Sequence, residues 1–156
     1  MTIETACRTL KGLAAVEDGG PANLEYALRT RKLTLHAGNL AAAATALFGV
    51  YVPRAIKLTR VRLVPGLSVA AHATDGQVVS LVTNDGAGGS DTSLGSWSTL
   101  SGAQGALTAG TAVELNGFTA NTSVAAGVYL MIKVAAAASG KASNCMLDID
   151  YELIGS

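Results

Sequence analysis

Cys145-Met-Leu-Asp-Ile-Asp-Tyr-Glu-Leu153 alternates from end to end: Cys145, Leu147, Ile149, Tyr151 and Leu153 form one row, and Met146, Asp148, Asp150 and Glu152 form the other. An extended backbone sends successive side chains to opposite faces, so this stretch predicts a strand with one face in a core and one in water. Three carboxylates in one row repel mildly, and a cationic neighbouring strand is expected to face them. Lys57, Arg60 and Arg62, on the run Ile56–Val64, are the residues that can supply it.

Working back from this strand, the same signal recurs. Lys32–His36 alternates and ends at Gly38-Asn39, and Ala46–Val52 is a dense apolar run stopped by Pro53. Ile56–Val64 is rich in β-branched residues, with a slip of phase between Leu58 and Val61 that predicts a bulge near Thr59-Arg60. Gln77–Thr83 is closed by the turn cluster Asn84–Gly89. Leu94–Leu100, Thr111–Phe118 and Val128–Val134 follow before the last strand, with the alanine-rich 135–143 as the final loop. About eight short strands, with turn signals at roughly ten-residue spacing, predict an all-β fold, an antiparallel two-sheet sandwich or barrel rather than βαβ units. The alanine runs 41–44 and 135–138 fall between strands and are expected to be loops.

The chain has 156 residues, one domain's worth, and equal numbers of acidic and basic residues give a formal net charge of zero. That balance offers no general attraction to nucleic acid or to an anionic membrane. Charged residues make up 14% of the chain against roughly 25% in ordinary soluble domains, which suggests a surface covered by neighbours. Nine of the twenty-two charges fall within residues 1–32. Residues 1–30 therefore predict a separate, partly helical or extended arm, and 31–156 the sandwich domain. The start carries an early acid and no long apolar run, so no secretory signal is expected, and Leu40–Val52 is too short to cross a bilayer.

Sites of chemistry are sparse. His36 and His72 have no repeated ligand spacing, and Cys7 and Cys145 lie at opposite ends, with Cys145 expected as a small buried side chain. Gly86-Ala-Gly-Gly-Ser90 lacks the Lys-Ser/Thr pair of a phosphate loop and reads as a turn. Asp148, Asp150 and Glu152 could hold Ca²⁺ or mimic paired glycosidase acids, but their alternation favours the solvated face of a strand. No catalytic residue, no metal site and no cofactor is expected. Of the chain's seven aromatics, Tyr26, Tyr51, Tyr129 and Tyr151 fall in or beside apolar patterns, and Trp97 is expected to pack or to sit at an interface.

Across about Pro53–Ile154, the order "AIKLTRVRLVPG", "ATDGQVVSLVTNDGAGG", "LGSWSTL", "LTAGTAVELNG", "SVAAGVYLMIKV" and "LDIDYEL" resembles the jelly-roll head-decoration (cement) proteins of tailed bacteriophages. The resemblance implies a jelly-roll sandwich without enzymatic activity, bound to the capsid exterior after synthesis in the host cytoplasm. It further implies the major capsid protein as a partner and self-association, commonly as a homotrimer, with no nucleic acid and no membrane. No family motif carries binding residues over. Arg8, Lys11, Tyr26, Arg29, Arg31 and Trp97 are taken as candidate capsid or subunit contacts from this chain's own composition. The alternative is a tail-tip or fibre jelly-roll that binds host glycan through aromatics exposed around Trp97. A third class, a sandwich glycosidase, would need Asp148 and Asp150 to line a cleft.

Overall fold

The computed structural model describes residues 30–40, 45–87, 90–136 and 143–154. Nine strands and no helix occur among them: β1 (Arg31–Leu40), β2 (Ala46–Tyr51), β3 (Ile56–Pro65), β4 (Gln77–Asn84), β5 (Thr92–Ser98), β6 (Val113–Glu114), β7 (Thr122–Val124), β8 (Tyr129–Ala136) and β9 (Ser143–Leu153). One sheet runs β1-β9-β3-β6, with β7 also pairing to β3, and the other runs β2-β8-β4-β5. The strands thus pair as a folded-over hairpin: β1 with β9, β2 with β8, β3 with β6 and β7, β4 with β5, successive pairs alternating between the sheets. That nesting of antiparallel pairs is a jelly-roll.

The two inner faces supply the core. Leu58, Val61 and Leu63 of β3 and Leu147 and Ile149 of β9 meet Val79 and Leu81 of β4 and Leu130, Ile132 and Val134 of β8, all essentially without solvent exposure. Alternation puts them there, and burying each such side chain stabilises the fold by about 1.5–3 kcal/mol. The expected bulge is present: the β3–β9 register shifts between Leu58 and Arg60, so Leu58 and Val61 both point inward although three residues apart. Cys145 is buried in the inner row, as expected.

The strands number nine, in keeping with the eight or so expected, the least visible being Thr122–Val124, which is too short to show a period and pairs with Ile56–Leu58. Other expectations need correction. The run Thr111–Phe118 contracts to Val113–Glu114, after which Asn116 leaves β3's sheet to bridge Ser96 of the other. Leu94–Leu100 is shifted to Thr92–Ser98, with a second register shift opposite Leu81 and Val82. Of the expected turn cluster Asn84–Gly89, residues 84–87 turn the chain after β4 through side chains, since Gly86 N–H donates to Asn84 Oδ1 at 2.7 Å and Ala87 N–H to Asp85 Oδ1 at 2.9 Å, while residues 88–89 lie outside the described residues. Ala135 and Ala136, expected in a loop, instead extend β8, paired with Val78 and Gln77, while arm 1–30 apart from Thr30, residues 41–44 and residues 137–138 lie outside the described residues.

Candidate interaction surface

On the outer face of the first sheet, the cationic row expected on Ile56–Val64 stands directly opposite the acidic row of β9. Register places Lys57 across from Glu152, Arg60 from Asp150 and Arg62 from Asp148. The side chains meet at 2.8 Å for Lys57 Nζ to Glu152 Oε2, and at 2.5 Å for Arg60 Nη2 to Asp150 Oδ2 and Arg62 Nη2 to Asp148 Oδ2. The solvated face anticipated from sequence is in fact half-covered: Asp150 is only 9% exposed, because long cationic stems lie across the row. Each carboxylate is thereby committed to a cation rather than held open for Ca²⁺ or for a substrate. Among the described residues no group of three or more His, Cys, Asp or Glu is arranged to hold a metal ion.

The histidines do structural work or none. His72 Nδ1 accepts the N–H of Asp75 at 2.9 Å and of Thr74 at 3.3 Å, which organises the turn before β4. Asp75 Oδ2 also lies 3.6 Å from that nitrogen, but a nitrogen accepting backbone N–H groups is not an ion-pair donor. His36 is exposed on β1.

The outer face of the second sheet is different. Phe48 and Val50 of β2 pair with Ile132 and Leu130, which point into the core, so Leu47, Gly49 and Tyr51 point outward with Tyr129, Met131 and Lys133. Tyr51 and Tyr129 oppose each other, their rings edge-to-face with centroids 5.5 Å apart at 62°. Sequence patterning had placed both tyrosines with the apolar runs. The structure leaves Tyr51 55% and Tyr129 40% exposed, and Leu47 43%. Two glycines make this packing possible. A Cβ on Gly49 would lie 2.2 Å from Met131 Cγ, and one on Gly86, which has φ +76°, would lie 2.7 Å from the Tyr129 ring. At the rim, Asp91 accepts from Lys133 Nζ at 2.7 Å and from Asn84 Nδ2 at 2.9 Å, and these hydrogen bonds lower its carboxyl pKa.

Where β2 ends, the two sheets part to form a cleft of about 280 Å³, lined by Leu33, Val50, Tyr51, Ile56, Tyr151 and Leu153, with Arg54 at its wall. This explains why Tyr151 and Leu153, in the inner row of β9, are only half-buried. The volume lies at the small end of the range usual for small-molecule sites.

Of the six contacts proposed from sequence, Arg8, Lys11, Tyr26 and Arg29 lie outside the described residues. Arg31 opens β1 and is exposed. Trp97 belongs to β5, at the other edge of the second sheet from β2; it packs half-buried on the core and donates its indole N–H to Gly105 O at 3.1 Å. Exposed aromatics around Trp97, which a glycan-binding reading would require, are not seen among the described residues; the exposed aromatics are Phe48, Tyr51 and Tyr129, on β2 and β8. Arg31 and Trp97 belong to different sheets. The readable signal for the aromatic face was Leu47-Phe-Gly-Val-Tyr51, five residues without alternation, hence apolar on both faces.

No protein-family model matches the chain, and no curated protein sequence matches it. Among solved structures, a chain of the infectious bursal disease virus Gx strain is similar at 14% identity over 82% of this chain and 33% of that one, with a TM-score of 0.34. The VP2 subviral particle of infectious bursal disease virus is similar at 13% identity over 82% of this chain and 42% of that one, with a TM-score of 0.23. T=1 particles derived from infectious bursal virus match at 15% identity over 82% and 41%, with a TM-score of 0.23. This chain therefore spans about a third to two-fifths of the length of those chains. At such scores the likeness carries no statement about what this chain does.

Proposed function

We propose that this chain is a virion structural protein that decorates the outer surface of a tailed-phage head and stabilises the contacts between capsomers. The observation that supports the reading most is the division of the surface. Charge on one sheet is neutralised pair by pair, while the other sheet offers exposed tyrosines and leucine. A body of that kind acts by contact. A ligand that binds only the assembled lattice stabilises it by mass action, by about 2.7 kcal/mol at a concentration one hundred times its dissociation constant. Its partners are the major capsid protein and further copies of itself.

Residues 1–30 act as the anchor to the head, with Arg8, Lys11, Tyr26 and Arg29 as contacts. Co-sedimentation with empty heads tests the reading. The full chain pellets with heads and saturates, whereas a variant that begins at Arg31 keeps its β-type circular dichroism and stays in the supernatant. Undiminished binding by the shortened chain overturns the anchor, and failure of the full chain to bind overturns the placement on the head.

A further inference from the structure

We propose that Asn116-Gly117 is a site of spontaneous covalent modification, at which ring closure and hydrolysis replace the Asn116 amide and loosen a tie between the two sheets. The chain has six asparagines, Asn23, Asn39, Asn84, Asn116, Asn121 and Asn144, and only Asn116 precedes a glycine. An asparagine side chain is open to attack by the main-chain nitrogen of the residue that follows it. A side chain on that following residue crowds the approach, and glycine has none. Open space surrounds the glycine here, since even a Cβ built on Gly117 would meet no atom within 4 Å.

Both reacting groups are untied. Gly117 N–H and the Asn116 carboxamide have no hydrogen-bond partner among the described residues, and both residues are exposed. Asn84 shows the contrast: its Oδ1 accepts from Gly86 N–H at 2.7 Å and its Nδ2 donates to Asp91 at 2.9 Å, so its carboxamide is held at both ends. What restrains Asn116 is main chain. Its N–H donates to Ser96 O at 2.8 Å and its carbonyl accepts from Ser96 N–H at 2.9 Å, which ties the segment after β6 to β5 of the other sheet. The turn itself is closed by one long bond, Phe118 N–H to Leu115 O at 3.4 Å. To bring Gly117 N onto Asn116 Cγ, the chain rotates about the Asn116 Cα–C bond and swings the carbonyl off Ser96. One ordinary hydrogen bond and one long one have to open, which slows the reaction by about tenfold rather than preventing it.

The chemistry is internal to two adjacent residues and takes only water from outside, so it needs no open binding face. Gly117 N, its proton taken by solvent base, bonds to Asn116 Cγ; the Cγ–Nδ2 bond breaks and Nδ2 leaves as ammonia. Water then opens the five-membered imide at one of its two carbonyls. Opening at Cγ restores the ordinary main chain with an aspartate. Opening at the main-chain carbonyl leaves an isoaspartate, whose chain runs through Cγ and is one methylene longer. Either product adds a negative charge to a chain of formal net charge zero, and the isoaspartate also puts a carboxylate and extra chain at the tie to Ser96.

The inference does not depend on the head-binding reading, and its test uses the full chain without heads. The folded protein is held at mildly alkaline pH, sampled over time, and mapped by peptide mass spectrometry with isoaspartyl methyltransferase labelling. Residue 116 is converted before any other asparagine, its peptide heavier by the difference between oxygen and NH and accepting the label. Asn116→Gln, an exposed position whose longer side chain has to close a six-membered ring, removes that early conversion. A parallel sample in urea converts residue 116 about ten times faster. The Ser96 amide exchanges faster in the aged folded protein than in fresh protein. Earlier conversion of another asparagine, early conversion that persists in Asn116→Gln, or an untouched residue 116 in the folded protein once the urea sample is fully converted each overturns the site. An unchanged Ser96 amide overturns the loosening.

Discussion

The outer faces of the two sheets obey the same period of two and are built on the same core, yet they solve opposite problems. On the β3–β9 face three cations of β3 stand across from three anions of β9, so a dense row of charge presents little net field. On the β2–β8 face the corresponding positions are Leu47, Gly49 and Tyr51 against Lys133, Met131 and Tyr129, and packing is made by rings and a thioether lying over glycines. A charge already paired across its own sheet gains little more from a partner surface. Exposed rings lose water with profit when another protein covers them, which is why aromatics concentrate at interfaces and charges at their margins. The lesson is that low overall charge does not make a uniform surface; here one sheet face closes its charges in pairs and the other leaves rings exposed.

The comparison assumes that both faces close over a single core. Leu147→Ala beneath the ionic face and Ile132→Ala beneath the aromatic face should each cost about 2–5 kcal/mol, measured by urea unfolding. A large cost on one side and a small one on the other breaks the assumption of a shared interior.

Next in size is an asymmetry within the ionic row. Arg60→Ala leaves Asp150, 9% exposed, with its carboxylate buried and one partner fewer, at a cost of about 1–3 kcal/mol. Asp150→Ala leaves only Arg60, which is far more exposed and can turn to water, and should cost less. Equal costs for the two variants would mean that the row is solvated after all. The aromatic face has its own probe in Gly49→Ala. The new methyl meets Met131 Cγ and the Leu130 carbonyl, so overpacking of about 1–3 kcal/mol is expected, visible as a lowered urea midpoint with an unchanged slope.

How far these faces could be read from sequence follows from the physics of a strand. Cys145–Leu153 alternates strictly, so both its inner row and its need for cations opposite were legible, as was the bulge at Thr59-Arg60 from the slip between Leu58 and Val61. A dense apolar run such as Ala46–Tyr51 has no phase to read. Whether it lies between two covered faces or at an open edge depends on which strand becomes its neighbour, and that is set by the nesting of β2 against β8, 78 to 88 residues away. Thr122–Val124 escaped for a related reason: three residues hold too little of a period-two pattern to register, and only pairing with β3 makes them a strand. Tyr51 and Tyr129 looked apolar because a tyrosine's ring gives the same pattern buried or exposed. Trp97 stood out as a lone large residue, yet its place in β5 gives it a hydrogen-bonded, packed role.

The smallest effect separates an ion pair at the rim of the aromatic face from those of the ionic row. Asp91 accepts first from Lys133 and then from Asn84, and both hydrogen bonds hold its pKa below the ordinary 3.8. A folded pKa depressed below the unfolded one means that folding favours the ionised carboxylate. The associated stabilisation is therefore complete above the unfolded value and is lost as pH falls below 3.8 and through the lower folded value. Carboxyl carbon shifts followed by NMR should give Asp91 a midpoint under 3.8, and in Lys133→Met that midpoint should move back toward it, since the leading hydrogen bond is gone while Asn84 remains. An unmoved midpoint in that variant would show that Lys133 lies free of Asp91 in solution, and the aromatic face would then border an open cation rather than a closed pair.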